Sequence, residues 1–186
     1  MQKEIIIAGF GGQGVLFAGQ VLAYAAMDSG KEVTWIPSYG PEMRGGTANC
    51  TVVIADEEIG SPLVRRPPAA IVLNLPSFDK YEPLIQPGGV LVVNSSMVDR
   101  PAQRDDITTI FIPANEMAEE IGDRRLLNMV AVGALLAMLP ELTMEQVKAA
   151  LKAHLPQRHQ HLLKNNFEAL DRGFEYARKA LAQMPA

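Results

Sequence analysis

The chain has a single cysteine, Cys50, among 186 residues. One thiol makes no internal disulfide, and it cannot by itself hold a cysteine-ligated iron–sulfur cluster. A reducing, cytoplasmic setting is the simplest expectation. Basic charge is scarce as well: 17 Lys and Arg against 21 Asp and Glu leave a net charge of −4. A general nucleic-acid binder would carry a basic face, so nucleic acid is not expected as a partner. No apolar run approaches the ~20 residues that a bilayer-spanning helix needs. Residues 126–139 are apolar all round, but Arg124-Arg125 and Pro140-Glu141 flank them. A buried helix fits this stretch, and no membrane association is expected. The N-terminus, MQKEIIIAGF, has too short an apolar run for a signal peptide. No carboxylate or cysteine joins His154, His159 or His161 at a recognised ligand spacing, so no metal site is expected. Repeats and low-complexity segments are absent.

What is present is an alternation of apolar strands and helical runs. Glu4 to Ala8 reads as a central strand buried on both faces. GFGGQG follows, and then a helical run from Val15 to Ser29 that stops at Gly30. Further strands are expected at Glu32–Pro37, Thr47–Ala55, Ala69–Leu75, Val90–Asn94 and Ile107–Ile112. A short helix over Ser77–Ile85 would place Phe78, Tyr81 and Leu84 on one side. Ala114–Ile121 reads as a helix ended by Gly122, and Thr143 with Gln146 forms a capping box that starts another. The strand at Thr47 follows the strand at Glu32 after too few residues for a parallel crossover, so it should run antiparallel. The expected fold is α/β: a three-layer open, mostly parallel, Rossmann-like sheet with one antiparallel strand and a helical C-terminal tail. One domain over 1–186 is expected, its helical C-terminal part starting at about residue 123.

Two stretches carry chemistry. Gly9, Gly11 and Gly14 match G-x-G-x-x-G between a strand and a helix, the context in which backbone amides cradle a phosphate. Close packing of strand on helix is the alternative use of such a turn. A dinucleotide site also needs an acid at the end of the second strand, for the ribose hydroxyls. That end reads Trp35-Ile36-Pro37-Ser38, and Glu32 sits at the other end. An ordinary NAD site is therefore disfavoured, although a free-standing NAD(P)-binding oxidoreductase stays open as a second function. The second stretch is Ser38–Gly46, SYGPEMRGG, which spends Tyr39, Glu42 and Arg44 on a connector that only needs to turn. Asn74, Asn94 and Ser95 stand at strand ends, where they could line the same crevice or cap loops. Cys50 reads as a small core residue. In the C-terminal helix, Leu163, Phe167, Leu170, Phe174, Ala177 and Leu181 make a narrow apolar stripe that could dock on the domain or on another chain.

Taken together, GFGGQGV at 9–15 and SYGPEMRGG at 38–46 resemble the gamma subunit of the 2-oxoacid:ferredoxin oxidoreductases, and the overall look is closest to the 2-oxoglutarate branch. The likeness extends through Gly60-Ser61-Pro62, Pro87-Gly88-Gly89 and the Asn128–Gly133 helix, nearly the whole chain. The pyruvate, branched-chain 2-oxoacid and indolepyruvate branches share this domain. The resemblance implies a complex that oxidatively decarboxylates a 2-oxoacid, forms an acyl-coenzyme A and reduces ferredoxin. Thiamine diphosphate with Mg, and the 4Fe-4S clusters, would sit in partner subunits: alpha, beta and a possible ferredoxin-like delta subunit. This chain would supply no catalytic side chain. It would contact coenzyme A through Gly9, Gly11, Gly12, Gln13 and Gly14, and through Ser38, Tyr39, Arg44, Gly45 and Gly46. Subunit contacts are expected at Tyr39, Pro41, Glu42, Met43 and Arg44, and at Phe167 and Phe174, because interfaces favour aromatics, methionine and arginine.

Overall fold

In the computed structural model the described residues are 2–39 and 47–184, with only the backbone of Tyr39. Six strands form one sheet: β1 (Gln2–Phe10), β2 (Glu32–Tyr39), β3 (Thr47–Ala55), β4 (Ala69–Val72), β5 (Val90–Asn94) and β6 (Thr108–Ile112). Their order is β2-β3-β1-β4-β5-β6. β4, β5 and β6 run parallel to β1, while β3 is antiparallel to both of its neighbours. The single reversed strand is the one that the short Ser38–Gly46 link predicts. β3 is inserted between β1 and β2. Those two strands share a direction without touching, because each pairs with β3.

The helices are α1 (Val15–Asp28), α2 (Leu75–Tyr81), α3 (Ala114–Ile121), α4 (Leu127–Leu136), α5 (Met144–His154) and α6 (Leu163–Ala182). The layers are unequal. α1, α3, α4, α5 and α6 contribute to one large core on one face of the sheet, whereas α2 and the 3₁₀ turn Glu82–Leu84 close a smaller core on the other. That turn also changes the expected side-chain pattern: Phe78, Tyr81 and Ile85 are buried, and Leu84 points outward. Leu84 ends the 3₁₀ turn, and Ile85 follows it in a non-helical conformation with φ −59 and ψ 132, so Ile85 is the residue whose side chain returns to the core.

Local signals end the helices where glycine permits. Gly30 has φ 77, with Gly30 N–H bonded to Met27 O at 3.0 Å and Lys31 N–H to Ala26 O at 3.1 Å. Those two bonds are the Schellman pair, which satisfies carbonyls that the end of α1 leaves open. The capping box at α5 has both of its bonds, Gln146 N–H to Thr143 Oγ1 at 3.2 Å and Thr143 N–H to Gln146 Oε1 at 2.8 Å. Every residue of α4 is buried. Its length of 10 residues confirms it as a core helix rather than a span, and no described helix is long and apolar enough to cross a membrane.

The apolar stripe of α6 packs on the domain's own core. Ala169, Leu170 and Ala177 are buried, and Phe167 and Phe174 lie partly buried against the main cluster. The Lys148 ammonium stands 5.5 Å from the Phe167 ring centre, and the Arg178 guanidinium 5.9 Å from that of Phe174. The stripe thus packs within the chain, chiefly against α4, while Phe167 and Phe174 stay only partly buried.

Candidate functional site: two loop ends at one edge of the sheet

The glycine turn is held in shape by side chains that point inward. Phe10 N–H donates to Gln13 Oε1 at 2.7 Å, and Gln13 Nε2 donates to Leu73 O at 3.2 Å. The Gln13 amide therefore bridges the ends of β1 and β4, and the turn presents backbone rather than this side chain to solvent. The glycines have separate reasons. A Cβ on Gly9 would sit 2.6 Å from Gln13 Oε1 and 3.0 Å from Leu73 Cβ, so Gly9 serves packing. Gly12 and Gly14 have φ values of 94 and 74, in the left-handed region. A Cβ on Gly12 would meet nothing within 4 Å, so its outer face is open to an approaching group.

Gly14 is the N-cap of α1, with no side-chain cap bond and no acid in the first turn. The first amides of a helix have no intrahelical acceptor, and the dipole adds positive potential there. An anion is the natural complement. Asn128 completes the arrangement from far along the chain: its Nδ2 donates to Gly14 O at 3.1 Å, and a Cβ on Gly14 would lie 2.3 Å from that nitrogen. Sequence reasoning did not assign Asn128 to the site. The available signal was its being the one polar residue in the apolar helix Leu127–Leu136.

The second loop begins beside this turn. Tyr39 and Gly9 both pair with Ala48, one on each side of β3. Two strand spacings put their backbones roughly 10 Å apart. Ser38 is exposed at the end of β2. Gly40, Pro41, Glu42, Met43, Arg44, Gly45 and Gly46 lie outside the described residues, as does the Tyr39 side chain. The topology adds a second objection to a dinucleotide site. The strand beside β1 is β3, whose N-terminal end, Thr47-Ala48, occupies the place where the acid should be.

The strand-end asparagines are mostly committed to structure. Asn94 Oδ1 accepts from Ala114 N–H at 3.2 Å and from Ser96 N–H at 3.3 Å, and its Nδ2 donates to Leu73 O at 3.3 Å and Asn115 Oδ1 at 3.0 Å. Asn74 Oδ1 caps α2 by accepting from Ser77 N–H at 2.9 Å. Ser96 donates to the Glu116 carboxylate and thereby holds that carboxyl below the usual range. The histidines are distributed rather than clustered on a metal: His154 Nε2 lies 2.8 Å from Asp28 Oδ2 and stacks on Tyr24 with ring centres 4.0 Å apart, while His159 accepts from Arg158.

Cys50 is fully buried under α1, its thiol directed at Val15 O 3.5 Å away. Burial pushes the thiol pKa up to about 12. The thiolate is the reactive form, so the native thiol is expected to resist a thiol reagent near neutral pH and to react fully once the chain is unfolded. Labelling of the folded chain at the rate of a free thiol would contradict this. A Cβ on Gly19 would lie 2.4 Å from Cys50 Sγ, which explains the glycine within α1.

Residues 4–176 match the family described as "Pyruvate ferredoxin/flavodoxin oxidoreductase". The "Ketoisovalerate oxidoreductase subunit VorA" of Methanothermobacter marburgensis is 36% identical over 181 residues, 97% of this chain and 37% of that protein. The chain therefore spans little more than a third of that relative. The "2-oxoglutarate synthase subunit KorC" of Methanocaldococcus jannaschii is 36% identical over 182 residues, and the match covers 96% of both chains. The solved 2-oxoglutarate:ferredoxin oxidoreductase of Magnetococcus marinus, with 2-oxoglutarate, coenzyme A and succinyl-CoA bound, superposes with a TM-score of 0.87 at 25% identity, covering 100% of this chain and 32% of that one. The motif pair, the sheet order and these likenesses agree: the chain belongs to the pyruvate ferredoxin/flavodoxin oxidoreductase family and is of its gamma-subunit kind.

Proposed function

We propose that the chain is the gamma subunit of a 2-oxoglutarate:ferredoxin oxidoreductase, and that its glycine turn and Ser38–Gly46 loop together hold the diphosphate of coenzyme A. The observation that carries the ligand assignment is the shared row Gly9–Ala48–Tyr39, from which both motif loops leave the same edge of the sheet. The open face of Gly12 and the uncapped start of α1 fit a diphosphate, which needs close backbone approach and positive potential. Arg44 would add a charge-assisted bond to it or a tie to a partner subunit. Coenzyme A supplies the acyl-accepting thiol, while this chain binds and orients its polar end. Thiamine diphosphate, the 4Fe-4S clusters and the contact with ferredoxin belong, in this reading, to the alpha, beta and delta-type partners.

The substrate assignment is supported by KorC, which matches over nearly its whole length. VorA supports a second reading, a branched-chain 2-oxoacid enzyme. Turnover of 2-oxoglutarate and of 2-oxoisovalerate by the assembled complex separates the two. The ligand test uses Gly12→Asn and Arg44→Ala. Asparagine tolerates positive φ better than other side chains, so the turn survives while its approach is blocked. Loss of Arg44 should remove about 1.5–3 kcal/mol of coenzyme A binding if its bond is to a charged group. Both variants should raise the apparent coenzyme A constant of the complex, with assembly checked separately. Normal assembly and an unchanged constant in both would assign the loops to the interface alone.

A further inference from the structure

Among the described residues, two side chains hold the glycine turn by hydrogen bonds: Gln13 from within it, and Asn128 from the start of α4. Asn128 is 5% exposed and sits in an otherwise apolar helix. A buried amide costs stability unless its groups are paired. Both ends of this one are: Nδ2 donates to Gly14 O at 3.1 Å, and Oδ1 accepts from Met129 N–H at 2.8 Å. Turning the amide over would oppose two oxygens at Gly14 and two N–H groups at Met129, so the network sets its orientation. The carboxamide therefore joins an amide in the first turn of α4 to the carbonyl that opens α1.

That carbonyl has a second donor. Ala18 N–H reaches Gly14 O at 3.0 Å, the first bond of α1. Two donors on one oxygen fix the plane of the Gly14–Val15 peptide. No described peptide bond is cis, so Val15 N–H points opposite to the carbonyl, out of the helix start. A carbonyl that accepts hydrogen bonds also polarises its own peptide, which strengthens the N–H as a donor. Gly12, Gly14 and Asn128 border a cavity of about 530 Å³ that opens between α1, α5 and the start of α6. The brace thus stands at the open side of the turn, where a ligand approaches.

We infer that Asn128 is a positioning residue for the acyl acceptor. By holding Gly14 O it aims the first amides of α1 at the diphosphate that the glycine turn receives. The inference rests on the coenzyme A reading of the two loops. It gives α4, 114 residues further along the chain, a part in binding without a contact to the ligand.

The test compares Asn128→Leu with Asn128→Asp in the assembled complex. Leucine keeps the branching at Cγ and removes the donor. It should weaken coenzyme A binding, measured by calorimetry, by about three- to tenfold. The loss should appear in KM for coenzyme A rather than in kcat or in KM for 2-oxoglutarate. Aspartate keeps the acceptor for Met129 N–H but sets a carboxylate oxygen against Gly14 O, so it should weaken coenzyme A at least as much. If Asn128 served only to cap α4, Asn128→Asp would leave coenzyme A binding unchanged, and that result overturns the inference. Weakening in Asn128→Asp without weakening in Asn128→Leu is repulsion by the added charge alone, and it overturns the inference too. Asn128→Ala removes the same donor and replaces the leucine variant if that chain does not assemble; loss of assembly in all three makes Asn128 a folding residue and rejects the positioning role. Gly12→Asn and Arg44→Ala separate the two readings. A coenzyme A constant that they leave unchanged removes the loop reading and this inference with it. A constant that they raise and Asn128→Leu does not removes this inference alone.

Discussion

Gly173→Ala is expected to destabilise the protein by about 2–3 kcal/mol, a change in the opposite direction from its effect on an isolated helix. Alanine is about 1 kcal/mol better than glycine in a helix interior. The surroundings reverse that gain. A Cβ at Gly173 would lie 2.0 Å from Val130 O, and one at Gly133 would lie 2.1 Å from Leu170 O. The two glycines face each other across the α4–α6 crossing, and both obstacles are backbone. No side-chain rotation relieves them, so the helices must part, and α4 is buried along its whole length. Overpacking of this kind ordinarily costs about 1–3 kcal/mol, and a backbone obstacle puts it at the upper end or beyond. Thermal unfolding should show a fall in Tm of roughly 5 °C or more. A rise in stability by the propensity difference would show that α4 and α6 do not cross this closely. Gly133→Ala should act alike, and the double substitution should cost less than the sum, since both crowd the same crossing and one separation of the helices accommodates both.

The second large effect is expected at Glu82, on the opposite face of the sheet. Its side chain is 2% exposed. One carboxylate oxygen accepts from Arg100 Nη1 at 2.9 Å; the other accepts from Gln103 N–H at 2.6 Å and Arg104 N–H at 3.3 Å. Arg104 Nη1 returns to Glu82 O at 3.2 Å, and the Arg100 guanidinium lies 3.9 Å from the centre of the Phe78 ring. A single carboxylate therefore pins the long connection between β5 and β6 to α2. Glu82→Ala strands two backbone amides and removes one of the two carboxylates that Arg100 holds, the other being Asp79 at 2.7 Å. Removing one partner of a buried pair costs about 3–5 kcal/mol. Glu82→Gln keeps the shape and one acceptor, so about 1–3 kcal/mol is expected. Urea unfolding of both variants measures the difference. An Ala variant as stable as the Gln variant would mean that water replaces the carboxylate and that the network does not hold the loop.

Neither effect could be read from the chain. Gly173 stands in a helical run with no turn signal, and Glu82 looks like any surface acid before a proline. Their importance comes from partners that only folding brings near, Val130 in one case and Arg100 to Arg104 in the other. The candidate site divides in the same way. The strand–glycine–helix turn at 9–14 is local, so its existence and its place at the start of α1 are legible from spacing alone. Gln13 and Asn128 are not, since their partners Leu73 and Gly14 lie 60 and 114 residues away. The asparagines at strand ends are the intermediate case: the sequence leaves Asn94 open to lining a crevice or capping loops, and four hydrogen bonds with partners elsewhere in the chain give it the second role.

Sequence by itself determined the elements, the one reversed strand, the family and the two motif loops, because each depends on periodicity, turn chemistry or contiguous residues. Tertiary structure alone decided that β3 separates β1 from β2, that α6 spends its apolar stripe on α4, and that a cavity opens between α1, α5 and α6. Those outcomes depend on which apolar faces find each other in space. A hydrophobic stripe states only that it must be covered, and the shape of the whole chain chooses what covers it.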